Sequence, residues 1–344
     1  MTTRLKKFLL PLLLPILLGL LTVTARAGGA YQLIGSIPIG TEGGWDYLTV
    51  DPAAQRLYVS HATRVVVIDT ASDQIIGEIT NTPGVHGVAL APELGRGITS
   101  NGREDQASLV DLQTLQTLAK VPTKPGPDSL LYNPARQEAY LFCGRAQAAT
   151  VIDVRGAKVV ATIPLGGRPE AAAIDVRAGR VYDNLEDQNE VAVIDTASHT
   201  VVTNWPIAPG AGGSGLAVDV RHHRLFIGCG ESKSLVMMNA QNGRVIASVP
   251  IGAGVDADAF DPGTKLVFAS CGDGTTTIAH EDSPDRLTVV QTLATERSAR
   301  TMALDVRTHR IYLATAKFTP PAPGQRRGTL IPGTLKILVY GRGP

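Results

Sequence analysis

Past residue 30 the chain alternates short apolar runs with clusters of Gly, Pro, Asp and Asn. This is the pattern of short strands joined by tight turns. The stretch Trp45-Asp46-Tyr47-Leu48-Thr49-Val50-Asp51-Pro52 is followed by Arg56-Leu57-Tyr58-Val59-Ser60 and then by Arg64-Val65-Val66-Val67-Ile68-Asp69, and the chain writes this sequence of segments repeatedly. When the copies are aligned on Asp51, the equivalent residues are Ala91, Asn133, Asp175, Asp219, Asp261 and Asp305, at separations of 40, 42, 42, 44, 42 and 44. A repeat of that length is one four-stranded propeller blade.

The content of each copy agrees with a blade. Small or apolar residues precede each anchor, as in Gly87-Val88-Ala89-Leu90, and suit an innermost strand crowded at the axis. Seven residues after six of the anchors stands an aromatic (Tyr58, Tyr140, Tyr182, Phe226, Phe268, Tyr312), with Ile98 in the remaining copy. A third strand ends on Asp69, Asp111, Asp153, Asp195 or Asn239, whose side chains can accept from amides two residues on and so close a turn. The first segment, Leu33 to Gly40, reads as a fourth strand with no blade of its own, and the last copy stops after a third strand, Lys336 to Tyr340. The expected fold is therefore all-β: a seven-bladed β-propeller over residues 28–344, its N-terminal strand completing the C-terminal blade so that no edge is left open.

Residues 1–27 are set apart. Arg4, Lys6 and Lys7 precede an apolar run from Phe8 to Leu21, and Ala25-Arg26-Ala27 follows, in the order of a secretory signal peptide. Pro11 and Pro15 interrupt a run already short for a membrane span. The expectation is export to the periplasm or beyond, with no anchor after cleavage. Removing this segment takes four of the 32 Lys and Arg and none of the 31 Asp and Glu, leaving three more acids than bases. That balance offers no footprint for nucleic acid.

Leu57-Tyr58-Val59-Ser60, Val181-Tyr182-Asp183-Asn184 and Ile311-Tyr312-Leu313-Ala314 resemble the Tyr-Val-Thr-Asn signature of the YVTN-repeat, or YncE-like, seven-bladed propeller family of exported bacterial proteins. Gly272 to Pro284 and Thr308 to Thr315 resemble the same family, which implies the fold and implies no catalytic residue.

Two columns of the repeat should meet at one mouth of the channel. Five residues before the anchors stand Asp46, His86, Asp128, Glu170, Ser214, Asp256 and Arg300; ten after them stand His61, Asn101, Cys143, Leu185, Cys229, Cys271 and Thr315. Opposed carboxylates raise one another's pKa unless a cation offsets them, so Asp46, Asp128, Glu170 and Asp256 are the candidate ligands of a divalent metal ion. Trp45 and Tyr47 flank Asp46 and would stack on a ligand or pack the channel. The cysteines are expected as small residues beneath the loops, with a soft-metal site including His61 or His86 as the alternative. The long segment from Phe318 to Gly333 should lie over the same face. His280-Glu281-Asp282 and Arg221-His222-His223-Arg224 are expected as a turn and an exposed hairpin on the opposite face.

Three functions are compatible with this pattern. The first is a monomeric binding protein for a small ligand or a periplasmic partner at the channel mouth. The second is a metal-assisted hydrolase of the propeller-lactonase type with His86 as base. The third is a scaffold for a periplasmic oxidoreductase.

Overall fold

The structure is a computed structural model that describes residues 1–2, 29–40, 43–322, 324 and 328–343. The expected signal segment lies outside the described residues but for its first two. The strands form seven four-stranded antiparallel sheets arranged as a seven-bladed propeller, as the repeat predicts. In blade 1 the order from axis to rim is Trp45–Asp51, Arg56–His61, Arg64–Asp69 and Gln74–Ile79, and blades 2 to 6 repeat it.

Burial follows that order. The second strand of each blade is almost wholly buried, while the fourth is mostly exposed: Leu57 to His61 are all buried, and Ile75 and Ile76 face solvent. The aromatic column supplies the largest enclosed side chains, with Tyr58, Tyr140, Tyr182, Phe226, Phe268 and Tyr312 all under 2 % exposed and Ile98 equally buried. Each packs at the seam between two blades, so Tyr58 meets Val88 and Val110 of blade 2, and Tyr312 meets Leu48 and Leu57 of blade 1. Removing such a ring should cost about 3–5 kcal/mol.

The anchors close the hairpins between first and second strands. Asp51 Oδ1 accepts from the amides of Ala53 and Ala54 at 3.0 and 2.9 Å, and Asp175 and Asp305 repeat the arrangement. Ala91 has no side-chain acceptor. There Pro92–Leu94 forms a short 3-10 turn that ends on Gly95 at φ 63°, and the backbone alone makes the bend.

One irregularity recurs with a purpose. In blades 1 to 6 the ladder between the first two strands shifts register just before its middle, between Trp45 and Leu48 in blade 1 and at the matching place in the others. Such a bulge re-aims the residues it displaces. The displaced positions are those of Asp46, His86, Asp128, Glu170, Ser214 and Asp256.

The ring closes through Tyr31–Pro38, which pairs with Lys336–Arg342 as the fourth strand of the last blade. Tyr31 also ties this strand to its neighbours. Gln291 of blade 6 donates to the Tyr31 carbonyl and accepts from its amide, the phenol donates to the His309 carbonyl at 2.7 Å, and the ring meets Phe268 edge-on at 5.1 Å. Deleting residues 29–38 should therefore abolish cooperative melting, and Tyr31→Ala should cost about 3 kcal/mol in urea denaturation. An unchanged midpoint for both would contradict closure by this strand.

Candidate functional site

Asp46, His86, Asp128, Glu170, Ser214 and Asp256 each occupy the second position of an innermost strand, and Arg300 stands just ahead of Met302–Asp305. One end of every innermost strand thus delivers a side chain to the same channel mouth. His86 Nδ1 lies 2.6 Å from Asp46 Oδ2 and 3.3 Å from Asp128 Oδ1, so consecutive blades 1, 2 and 3 supply an Asp–His–Asp cluster whose ligand atoms all lie within 4.8 Å of one another. Across the mouth, Arg300 donates to Asp256 at 2.8 Å. Ser214 is buried and serves the wall, where its carbonyl accepts from Asn184.

The ring is crowded with negative charge. Burial first, then Asp128 and Asp256, push Glu170 up to about 8, and burial raises Asp128 to about 6 against the pull of His86. Burial works against the His86 imidazolium, but the Asp46 hydrogen bond and the charges of Asp128 and Glu170 outweigh it and raise its pKa. At neutral pH Glu170 therefore keeps its proton, which a cation entering the mouth would displace.

Beneath the ring the channel holds a cavity. The next column inward reads Gly87, Ser129, Ala171, Gly215, Ala257 and Thr301, all small, against Tyr47 in blade 1. Tyr47 lines a cavity of about 170 Å³ with Val88, Leu130, Leu216 and Met302. Burial, followed by Glu170, Asp128 and Asp46, pushes its phenol well above the usual value, so it stays neutral as a hydrogen-bonding group. A second recess of about 250 Å³ opens beside the ring, lined by His86, Asp128, Arg145 and Arg168 with three glycines.

Two carboxylates in this region escaped the repeat reading. Asp258 lines the central cavity, seated where a Cβ on Gly215 or Gly228 would collide with it at 2.7 Å. Asp183 is fully buried beneath Glu170's side of the mouth. Neither makes a well-formed hydrogen bond, and burial holds both in the protonated range. The signal was present in the alignment: Asp258 interrupts the column Leu48, Val88, Leu130, Ala172, Leu216 and Met302, and Asp183 interrupts the uncharged column Val59, Thr99, Leu141, Ile227, Ala269 and Leu313.

With the geometry established, the chain can be set beside known proteins. No family model matches it, and no curated protein sequence does either. Among solved structures it is similar to a chain of hydrazine synthase from Kuenenia stuttgartiensis, at 18% identity and a TM-score of 0.71, over 80% of this chain and 94% of that one. It is also similar to a chain in the crystal structure of a mitotic checkpoint complex, at 16% identity and a TM-score of 0.75, over 100% of this chain and 99% of that one. The likeness is one of fold.

The second column does not reach the mouth. Each of its residues ends a second strand and is buried there. His61 is fully buried with Nδ1 2.9 Å from the Gly44 carbonyl, and burial lowers its pKa. Asn101 donates to Ser108 and accepts from Thr99, both at 2.8 Å. Both side chains are thus enclosed at the end of their strands and do not open onto the mouth. Cys143, Cys229 and Cys271 are free, buried thiols raised by burial to about 11, 12 and 12, far from the thiolate a soft metal needs. Trp45 packs rather than presenting a stacking face, its ring 6.1 Å from Phe318 at the base of the long segment, where Phe318 bridges to Leu330.

The proton on Glu170 sets a pH dependence. The folded chain keeps it to about pH 8, whereas an unfolded glutamate releases it near 4.5. The stability this contributes is complete below the unfolded value and is lost as pH rises through the folded one. Glu170→Gln should gain on the wild type by about 1–3 kcal/mol between about pH 5 and about pH 8.5, once screening at the mouth is discounted. Urea denaturation at both pH values checks this, and parallel shifts for the two proteins would refute it.

Proposed function

We propose that this is an exported propeller of the YncE-like kind whose single domain follows a cleaved signal, and that its channel mouth binds a divalent cation. The observation that carries the reading is the Asp46–His86–Asp128 cluster, in which three blades bring two carboxylate oxygens and one imidazole nitrogen within 4.8 Å of one another. Oxygen and imidazole donors together suit a first-row transition ion. Asp46, His86 and Asp128 would hold it, and Glu170 and Asp256 lie near enough to feel its charge. The cavity under the ring gives a small organic molecule room to approach the ion from the channel side.

His86 fits a ligand better than the base of a hydrolase. Its Nδ1 is shared between two carboxylates that favour the imidazolium, and a base must begin without that proton. The proposal is therefore of binding, for which export and a monomeric state are consistent settings.

Titration with Zn²⁺ by calorimetry tests it. Binding at the mouth should release protons and strengthen from about pH 6 to about pH 8.5. Asp128→Asn and His86→Ala should each weaken it by at least about tenfold while leaving the metal-free melting curve intact. Zn²⁺ affinity that ignores both substitutions would sink the reading.

A further inference from the structure

The innermost strand of blade 5, Gly213–Asp219, runs from the mouth to the opposite face, where it ends on the anchor Asp219. His222 follows in the hairpin. Glu281, from the third strand of blade 6, meets both across the seam between the blades. It stands where the alignment puts the turn-closing residues Asp69, Asp111, Asp153, Asp195 and Asn239, but here the hairpin is longer, with Thr275–Ser283 and Arg286–Ala294 as its strands. Glu281 therefore falls inside a strand, fully buried, rather than in the turn expected for His280-Glu281-Asp282. His222 is likewise drawn inward, with its side chain 22% exposed.

The three groups converge on one point. His222 Nδ1 is 2.7 Å from Asp219 Oδ2 and 3.3 Å from Glu281 Oε1, and the ligand atoms all lie within 4.8 Å of one another. The 3.3 Å separation is that of neighbouring donors around a tetrahedral ion, and the 2.7 Å one is an ion-pair distance that would open slightly as an ion entered. Asp219 and Glu281 are 3% and 0% exposed; His222 Nδ1 bonds Glu281 Oε2 at 3.3 Å, while Asp219 Oδ2 and Glu281 Oε1, which face the point, lie against the same nitrogen without a well-aligned hydrogen bond of their own. A buried, unpartnered carboxylate oxygen is costly, and here two are aimed at one imidazole nitrogen that can carry a single proton.

The surroundings hold the donors without satisfying them. Asp219 Oδ1 accepts from the Arg221 amide at 2.9 Å, which leaves Oδ2 directed at the seam. Arg224 spends its guanidinium on the carbonyls of His222, His223 and Pro284 and on Asp285, and among the described residues no Lys or Arg pairs with Asp219 or Glu281. Three other histidines that meet carboxylates each meet only one: His309 with Asp261, His223 with Asp175, His199 with Glu138. The seam between blades 5 and 6 differs by its second acid.

We propose that Asp219 Oδ2, His222 Nδ1 and Glu281 Oε1 form a second divalent-metal site, suited to Zn²⁺, that fastens blade 5 to blade 6 on the face opposite the mouth. One imidazole and two carboxylates supply three of the four positions of a tetrahedral ion, and water completes it from the solvent side of His222. The site is independent of the mouth, so either can fail without the other.

The test uses the full chain carrying Asp128→Asn, which disables the mouth cluster. Calorimetry with Zn²⁺ should show one remaining equivalent, and Co²⁺ should give the visible d–d bands of a tetrahedral ion. Adding His222→Ala, a change on a partly exposed hairpin, should weaken Zn²⁺ by at least about tenfold and remove those bands. Glu281→Gln should do the same at near-constant volume. In the Asp128→Asn chain itself, Zn²⁺ must also shift the ¹⁵N resonance of His222 Nδ1, a readout that needs no variant at the site. Absence of Zn²⁺ binding in that chain, an unmoved His222 resonance, or binding indifferent to both substitutions would overturn the proposal and leave a carboxyl pair sharing a proton.

Discussion

Everything in this molecule depends on a pairing between its two ends. Tyr31–Pro38 hydrogen-bonds to Lys336–Arg342, and until it does the propeller is an open arc with an unpaired edge and an uncovered blade face. The contact is about as non-local as the chain permits, so its loop-closure entropy must be met by contacts already formed among the blades. The side chains on this strand reflect that demand. Tyr31 alone engages blade 6 through Gln291 and Phe268 and blade 7 through the His309 carbonyl. The closing strand is therefore latched to two blades, and the ring resists opening at the seam where covalent continuity is missing.

Closure fixes the distance of every innermost strand from the axis, and this makes the channel mouth a shared environment. A bulge in each of six blades turns one residue out of the ladder toward that mouth, so residues about 40 positions apart in sequence become neighbours. Carboxylates brought together in this way cannot all ionise. The structure meets the conflict partly with His86 and Arg300 and partly by holding a proton on Glu170. Below the ring, small side chains leave a cavity and Tyr47 alone intrudes. Fold and electrostatics are thus one constraint, because the crowding that requires small residues at the axis also forces the charges together.

Much of this was legible in the sequence because a propeller repeats its environment. The anchors, the aromatic column and the orphan first strand each occupy one physical role in every blade, so spacing alone located them. The ring of Asp46, His86 and Asp128 was legible for the same reason. What spacing did not convey was coverage. His61 and Asn101 sit beside ring residues in the ladder, yet both are buried, and burial at a strand end is set by tertiary packing rather than by period. Nor does a consensus reading notice single departures. Asp183 and Asp258 place an acid where the other blades hold uncharged residues, Glu281 lies inside a strand where its equivalents close a turn, and in a chain built of copies such exceptions carry the information.

Those exceptions share a physical character. Asp183, Asp258, Asp219 and Glu281 are buried acids or acids with buried oxygens; Asp219 and Glu281 share the single imidazole of His222, and among the described residues no Lys or Arg pairs with any of the four. Unpaired buried carboxylates weaken a fold unless they hold a proton or a cation. A seven-bladed ring has many equivalent core positions that accept Leu, Val or Ile, so stability alone gives no reason to place acids there. Asp258 faces the cavity beneath the mouth, and Asp219 with Glu281 faces His222 at the opposite end of the innermost strand of blade 5. These four acids all lie in blades 4, 5 and 6, whereas the acids at other seams, such as Glu138 and Asp261, each face a histidine of their own. That asymmetry distinguishes blades 4, 5 and 6 from the rest of the ring, whose fold alone would leave the seven seams interchangeable.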